Sequence, residues 1–129
     1  MRILLSIILI SVLSNACDNS QTESNNTNEV KQLWDEMMVI HDEVMPKTSE
    51  IVRLQKQLRE KEDTEAIVQE LASAEEAMWN WMNGLKQYDK IEQMDKTEAI
   101  DYLKGSKAEI EKVSQQMMEA IEEGKAKLE

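Results

Sequence analysis

The residues of this chain that could do chemistry surround its single histidine, His41. Met37 and Met45 lie four residues to either side of His41, and Met38 lies three residues before it, so a helix would place all four side chains on one face. Imidazole and thioether groups suit Cu(I), and a His/Met pair can ligate haem iron axially. The alternative is a core histidine that bonds to a hydroxyl, a carbonyl or water among methionines that fill gaps.

A proline directly after this cluster predicts a kink beside the histidine. Inside a helix, Pro46 removes one backbone hydrogen bond and clashes with the preceding turn. If a second helix returns antiparallel from a turn near residue 63, His41 lies level with Leu85 and Met82. Unusual residues from three helices would then share one layer. The predicted layer consists of His41, Met45, Pro46, Trp81, Met82 and Tyr102.

No catalytic arrangement can be assembled from the sequence. His41 has no apparent Ser or Asp partner on its apolar face, and no glycine-rich loop is present to cradle a phosphate. The chain has no Glu-x-x-His motif for a di-iron site and no Cys-x-x-Cys-His motif for covalent haem. The sequence therefore predicts a protein that is not an enzyme, and any haem would be bound non-covalently.

The composition predicts one acidic, helical domain. The chain has 129 residues, with 26 Asp+Glu against 15 Lys+Arg and a formal net charge of −11. Only 3 Gly and 1 Pro are present beside 9 Met, which favours helices over strands and turns. A surface this acidic repels nucleic acid, so we expect no nucleic-acid partner. The single cysteine excludes an internal disulfide framework.

Residues 1–16 have the organisation of a signal peptide. Arg2 gives a positive start, an uncharged apolar run of 11 residues follows, and Ser14 and Ala16 are small residues at the cleavage positions. The apolar run is too short to span a bilayer, which takes about 20 residues. Cys17 comes next, as in a bacterial lipobox, although Ser14 stands where a lipobox usually has an apolar residue. The alternative is an ordinary secretory signal cut at the same bond.

Residues 17–28 are predicted to form a lipidated Cys17 followed by a disordered tether. Residues 18–28 contain no apolar side chain and therefore have nothing to bury. Two or more acyl chains on Cys17 would anchor the protein stably, since one chain binds a membrane only marginally. The predicted location is the bacterial cell envelope, facing the periplasm or exposed at the surface, with contact to the membrane through the lipid.

Residues 29–129 are predicted to form an all-α fold, an elongated antiparallel up-down-up three-helix bundle. The first helix is expected over residues 28–61, because apolar residues recur there every seven positions. The third helix is expected over residues 96–127, after a capping sequence that begins at Asp95. The stripe of the first helix consists of Val30, Met37, Val44, Ile51 and Leu58.

The second helix is expected to begin at Asp63 or Thr64 and to extend through Tyr88. Residues 60–64 contain neither Gly nor Pro, which leaves open an unbroken rod from the first helix into the second. Trp79 lies about 200° from Trp81 around a helix, so the two indoles cannot face one core. Either Trp79 is exposed and marks a contact surface, or it lies in the groove against the third helix; we expect the groove.

Two runs carry a family resemblance. The run from His41 to Pro46 (His-Asp-Glu-Val-Met-Pro) and the run from Met78 to Met82 (Met-Trp-Asn-Trp-Met) resemble a group of small helical lipoproteins from Bacteroidetes-type bacteria. Members often carry the label "viral A-type inclusion protein". The match covers most of the mature chain, including the segment from Tyr102 onward. The resemblance implies a lipid-anchored helical protein of the cell envelope, and it implies no activity.

The sequence thus favours a non-enzymatic, lipid-anchored envelope protein without a cofactor, which binds a partner protein or serves as a scaffold. The alternative function is a small copper(I)- or haem-binding bundle centred on His41 and the neighbouring methionines.

Overall fold

The computed structural model describes residues 20–129, with side chains from residue 28 onward. The predicted signal peptide and the predicted lipidation site at Cys17 lie outside these residues. The described part is all-helical, without a strand, and its helices pack against one another. In chain order the helices are α1 (Ser20–Val44), α2 (Lys47–Leu58), α3 (Glu65–Gly84), α4 (Tyr88–Ile91) and α5 (Lys96–Ala126).

The first predicted helix is present as two helices that are separated at Met45 and Pro46. All five residues of the predicted apolar stripe are buried, so the seven-residue periodicity identified the core face correctly. Helical bonding continues to the break, because the Met45 backbone N–H donates to the His41 carbonyl at 2.7 Å. Beyond it, the Thr48 hydroxyl donates to the Met45 carbonyl at 2.8 Å. The proline therefore ends α1 at the predicted place.

The start of α1 differs from the prediction. The helix begins at Ser20, whereas the sequence predicted a disordered tether through residue 28. Helix propagation adds one backbone hydrogen bond for each residue fixed, so a helix held by packing at Val30 extends toward its N-terminus without apolar side chains. The apolar pattern reports where a helix packs and not where it starts.

A turn separates α2 from α3, so the alternative of an unbroken rod is wrong. Asp63 adopts a left-handed backbone conformation with φ of 58°, the only described residue other than glycine with a positive φ. The buried Thr64 hydroxyl donates to the Leu58 carbonyl at 2.6 Å and lies 3.1 Å from the Lys61 carbonyl. These bonds give hydrogen-bond donors to backbone carbonyls at the C-terminal end of α2, so the turn forms without a glycine or a proline.

The second predicted helix ends earlier than expected. α3 stops at Gly84, and Leu85 is extended with φ of −70° and ψ of 124°. Tyr88 starts the short helix α4, and its ring lies 5.2 Å from the ring of Trp34. The sequence predicted a helix through Tyr88 because Leu85 and Tyr88 have apolar side chains, and both still pack on the core from outside α3.

The third predicted helix is confirmed as α5. The Asp95 side chain accepts a hydrogen bond from the Thr97 N–H at 2.9 Å, which is the predicted capped start. Near the start of α5, Ala99 is buried and the neighbouring Ile100 is only half-buried. Further along α5, the large buried apolar residues are Leu103, Ile110, Val113, Met117 and Ile121.

Polar contacts define how the helices pair. Glu29 pairs with Lys96 at 3.8 Å, and Glu36 with Lys107 at 2.8 Å, so residue numbers rise together along α1 and α5. Glu50 in α2 pairs with Lys125 at 2.7 Å and continues the series. Within the described residues, no helix combines the length and the apolar character that crossing a bilayer requires.

Candidate functional site

The imidazole of His41 lies in the seam between α1 and α3. Its side chain is only 14% exposed, and it stacks on Trp81 with ring centroids 5.6 Å apart and an angle of 27° between the planes. Trp81 adjoins the predicted neighbour Met82, lies one helical turn before the other, Leu85, and belongs to the layer predicted for His41. Among the described residues, the hydrogen-bond partner of the ring is Asp42, whose Oδ1 lies 2.9 Å from Nδ1.

The contact with Asp42 lies outside the prediction, which considered only Ser and Asp partners on the apolar face of His41. Asp42 is the next residue in the chain and is largely exposed, so periodicity places it on a different face. A carboxylate oxygen accepts hydrogen bonds, so the tautomer that fits this contact has its proton on Nδ1. The lone pair is then on Nε2, the atom that would bind a metal ion.

Trp81 joins three helices at this point. It is 7% exposed, and its indole N–H donates to the backbone carbonyl of Ser106 in α5 at 3.0 Å. One side chain of α3 thus contacts α1 through a ring face and α5 through a hydrogen bond. Ser106 is buried, although its polarity gave no indication of a core position.

The predicted methionine ligands differ in burial. Met37 is completely buried in the core. Met38, Met45 and Met82 are half-buried and pack against the core from its margin. The sequence could not separate these two groups, because all of the methionines on α1 lie on the apolar side of the helix.

Tyr102 belongs to a groove on the other side of Trp81. Its hydroxyl accepts a hydrogen bond from the Lys86 backbone N–H at 2.7 Å, and the Lys86 ammonium lies 4.3 Å from the centre of the ring. Tyr102 and Trp81 line a groove of about 300 Å³ between α3 and α5, with Gly105 among the other lining residues. His41 does not line this groove, so the structure pairs His41 with Trp81 and places Tyr102 elsewhere.

Ligands for a hard metal ion are not assembled in the structure. Across residues 28–129, no group of three or more His, Cys, Asp or Glu side chains is placed to hold a metal ion. Thioether ligands are a separate class, which suits softer ions such as Cu(I).

Ion pairs and one pair of carboxylates shift the pKa values of acidic residues where α5 contacts the other helices. The hydrogen bond from Lys107 lowers the pKa of Glu36, and the hydrogen bond from Lys125 lowers the pKa of Glu50. A hydrogen bond with Glu70 and then the charge of Glu70 raise the pKa of Glu123. The ionised form of a carboxyl group is therefore favoured where α5 meets α1 and α2, and disfavoured where α5 meets α3.

Trp79 is 43% exposed, so the expectation that it lies in a groove is wrong. Trp81 takes the core position, and a residue about 200° away on the same helix must then face outward. Glu75 and Glu76 lie one turn before Trp79 and adjoin it on the helix surface. The other exposed large apolar side chains among the described residues are Val39, Val52 and Met118.

Comparison with known proteins returned no relative: no family model matches the chain, and no curated protein or solved structure matches it.

Proposed function

We propose that this chain is a lipid-anchored protein of the bacterial cell envelope whose helical bundle binds a basic surface of a partner protein and catalyses no reaction. In this proposal it belongs with the small helical lipoproteins that its sequence resembles. The anchor is the predicted lipid on Cys17, which follows a signal-like segment with a positive start and an apolar run.

The architecture in this proposal is an up-down-up three-helix bundle, with α1 and α2 as the first rod, α3 as the second and α5 as the third. Two ion pairs with residue numbers rising together support a parallel arrangement of α1 and α5, namely Glu29–Lys96 and Glu36–Lys107. The hydrogen bond between Lys61 and the Leu128 carbonyl, 2.8 Å long, joins the turn after α2 to the end of α5.

The exposed indole of Trp79 is the observation that carries the binding proposal. Aromatic residues are enriched in protein interfaces, and tryptophan is the residue type found most often among their energetic hot spots. At 43% exposure, Trp79 keeps apolar surface that a partner could bury. We therefore place the contact surface on the outer face of α3, around Trp79.

The chemistry of the partner follows from the acidic residues beside that ring. Glu75 and Glu76 lie next to Trp79, and the whole chain carries a formal charge of −11. Arginine or lysine side chains would gain from both features, because they pair with carboxylates and stack over an indole face. A basic partner surface fits this region, and an acidic one is repelled.

The test is recovery of the partner from cross-linked envelope fractions with three single variants. Trp79→Ala and Glu76→Lys are expected to remove the partner, since one loses the ring and the other reverses a charge. Val39→Ala is the matched control, because Val39 is also an exposed apolar residue but lies on α1.

All three variants are expected to retain the parental melting temperature, because surface changes usually shift stability by less than about 0.5 kcal/mol. Partner recovery that is equal for Trp79→Ala and Val39→Ala would contradict a contact surface on α3.

A further inference from the structure

We propose that His41, together with the thioethers of Met38 and Met45, binds one Cu(I) ion at the margin of the seam between α1 and α3. The site is independent of the partner-binding surface around Trp79. Three observations support the proposal: the contacts that orient the His41 imidazole, the difference in burial among the methionines of α1, and the helix break at Pro46.

The first observation is the orientation of the imidazole. Asp42 accepts from Nδ1 at 2.9 Å, and Trp81 covers one face of the ring. A carboxylate on one ring nitrogen sets the tautomer and increases the basicity of the other nitrogen, an arrangement that commonly supports histidine ligands of metal ions. In the tautomer that donates from Nδ1 to Asp42, the lone pair is on Nε2, and the contacts with Asp42 and Trp81 hold the ring in place.

The second observation is the difference in burial among the methionines of α1. Met37 is fully buried, so its sulfur belongs to the core. Met38 and Met45 are half-buried, lie one turn before and after His41, and pack against the core only from its edge. Helical neighbours at these spacings have Cβ atoms roughly 5–6 Å apart, and the flexible methionine chain lets the sulfur approach an ion between them.

The third observation is the break after Met45. The Met45 N–H still bonds to the His41 carbonyl at 2.7 Å, so the two residues keep their helical relationship. The Thr48 hydroxyl bonds to the Met45 carbonyl at 2.8 Å and holds the backbone where Pro46 interrupts the helix. The backbone of Met45 is thus fixed, while its side chain lies at a discontinuity in the helical surface.

One nitrogen and two thioethers form a soft donor set, which prefers Cu(I) to hard cations such as Mg²⁺ or Ca²⁺. Haem fits this place less well, because the groove of about 300 Å³ between α3 and α5 does not include His41. The geometry therefore favours a single ion over a macrocycle.

The test is an anaerobic titration of the purified full chain with Cu(I) in competition with a coloured Cu(I) chelator. The chain carries Cys17→Ser, so that its only thiol does not compete for the ion. The expected result is one Cu(I) per chain, quenching of tryptophan emission through the adjacent Trp81, and an X-ray absorption spectrum with one nitrogen and two sulfur ligands.

Single variants identify the ligands. Met38→Leu and Met45→Leu are each expected to weaken Cu(I) binding at least tenfold, and His41→Gln is expected to abolish it. Met37→Leu is the matched control on the same helix and is expected to bind like the parent chain. Methionine and leucine have similar volumes, so the melting temperature of all three leucine variants is expected to remain close to that of the parent.

A second measurement does not depend on any substitution. Methyl NMR of the parent chain with Ag(I), a redox-inert substitute for Cu(I), is expected to shift the Met38 and Met45 methyl signals and to leave that of Met117 in place. The proposal is overturned if the parent chain retains no Cu(I), if Met37→Leu weakens binding as much as Met45→Leu, or if His41→Gln binds normally.

Discussion

The imidazole of His41 and the indole of Trp81 stack with centroids 5.6 Å apart, and this contact joins α1 to α3. The same indole donates a hydrogen bond to the Ser106 carbonyl, which joins α3 to α5 at 3.0 Å. Because one side chain links three helices, its loss is expected to loosen the whole layer.

Trp81→Phe is therefore expected to lower the free energy of unfolding by about 1–3 kcal/mol. The smaller ring leaves a cavity, and the hydrogen bond from the indole N–H to the Ser106 carbonyl is lost. Trp79→Phe is the control, with an expected change below about 0.5 kcal/mol because Trp79 is exposed. Urea denaturation measures both values, and equal losses would mean that Trp81 is not the link between helices.

Alanine substitutions at the two glycines of α5 are expected to change the stability of the protein differently. A Cβ at Gly105 would meet nothing within 4 Å, so Gly105→Ala is expected to stabilise the protein by about 0.5–1 kcal/mol. A Cβ at Gly124 would lie 3.3 Å from Leu71 Cδ1, within a group of buried leucines. Gly124→Ala is thus expected to be less stable than Gly105→Ala in thermal unfolding, and the reverse order would show that the core at Gly124 is loosely packed.

Position 63, in the turn before α3, is expected to accommodate glycine with less backbone strain than Asp63. Asp63 has φ of 58°, a conformation that costs an L-residue about 1 kcal/mol and costs glycine little. Asp63→Gly is therefore expected to raise the melting temperature, whereas Glu62→Gly, at a position without a positive φ, is expected to leave it unchanged or lower it. Calorimetry of the two variants distinguishes backbone strain from the loss of an acidic charge.

Stability is expected to depend on pH in two opposite ways. The raised pKa of Glu123 means that the folded chain takes up a proton more readily there, so stability rises as the pH falls from neutral toward the ordinary carboxyl value of 4.5. The lowered pKa values of Glu36 and Glu50 mean that their stabilisation is complete above 4.5 and is lost as the pH falls through the lower folded values.

Melting curves measured between about pH 3 and pH 8 are therefore expected to show a maximum on the acidic side of neutrality. Glu123→Gln is expected to remove the rise, and Glu50→Gln is expected to reduce the fall at acid pH. A profile that Glu123→Gln leaves unchanged would show that repulsion from Glu70 does not affect folding.

Lipidation is expected at Cys17, the only thiol in the chain. Mass spectrometry of the mature protein from its bacterial host is expected to show an N-terminal Cys17 carrying acyl chains. Cys17→Ser is expected to move the protein from the membrane fraction to the soluble fraction without changing its melting temperature. An unmodified Cys17 in the mature parent protein would remove the membrane anchor from the proposed function.

The sequence by itself determined where the long helices lie, though not all of their ends, and which side of each packs. The stripe of Val30, Met37 and Val44 follows from the 3.6-residue period, and the Asp95 cap from a local hydrogen bond. The break at Pro46 follows from a missing donor. Each of these features depends on residues within a few positions of one another, so the local sequence is sufficient to predict it.

Only the tertiary structure decided which residues meet across helices. The sequence placed His41, Trp81 and Tyr102 in one layer, but only the packed helices show that His41 stacks on Trp81 and that Tyr102 lies in a groove that His41 does not line. The exposure of Trp79 and the burial of Ser106 depend on where neighbouring helices lie. Side-chain periodicity defines a face but leaves the sliding and rotation of packed helices undetermined, and these are set by the packing of all their side chains together.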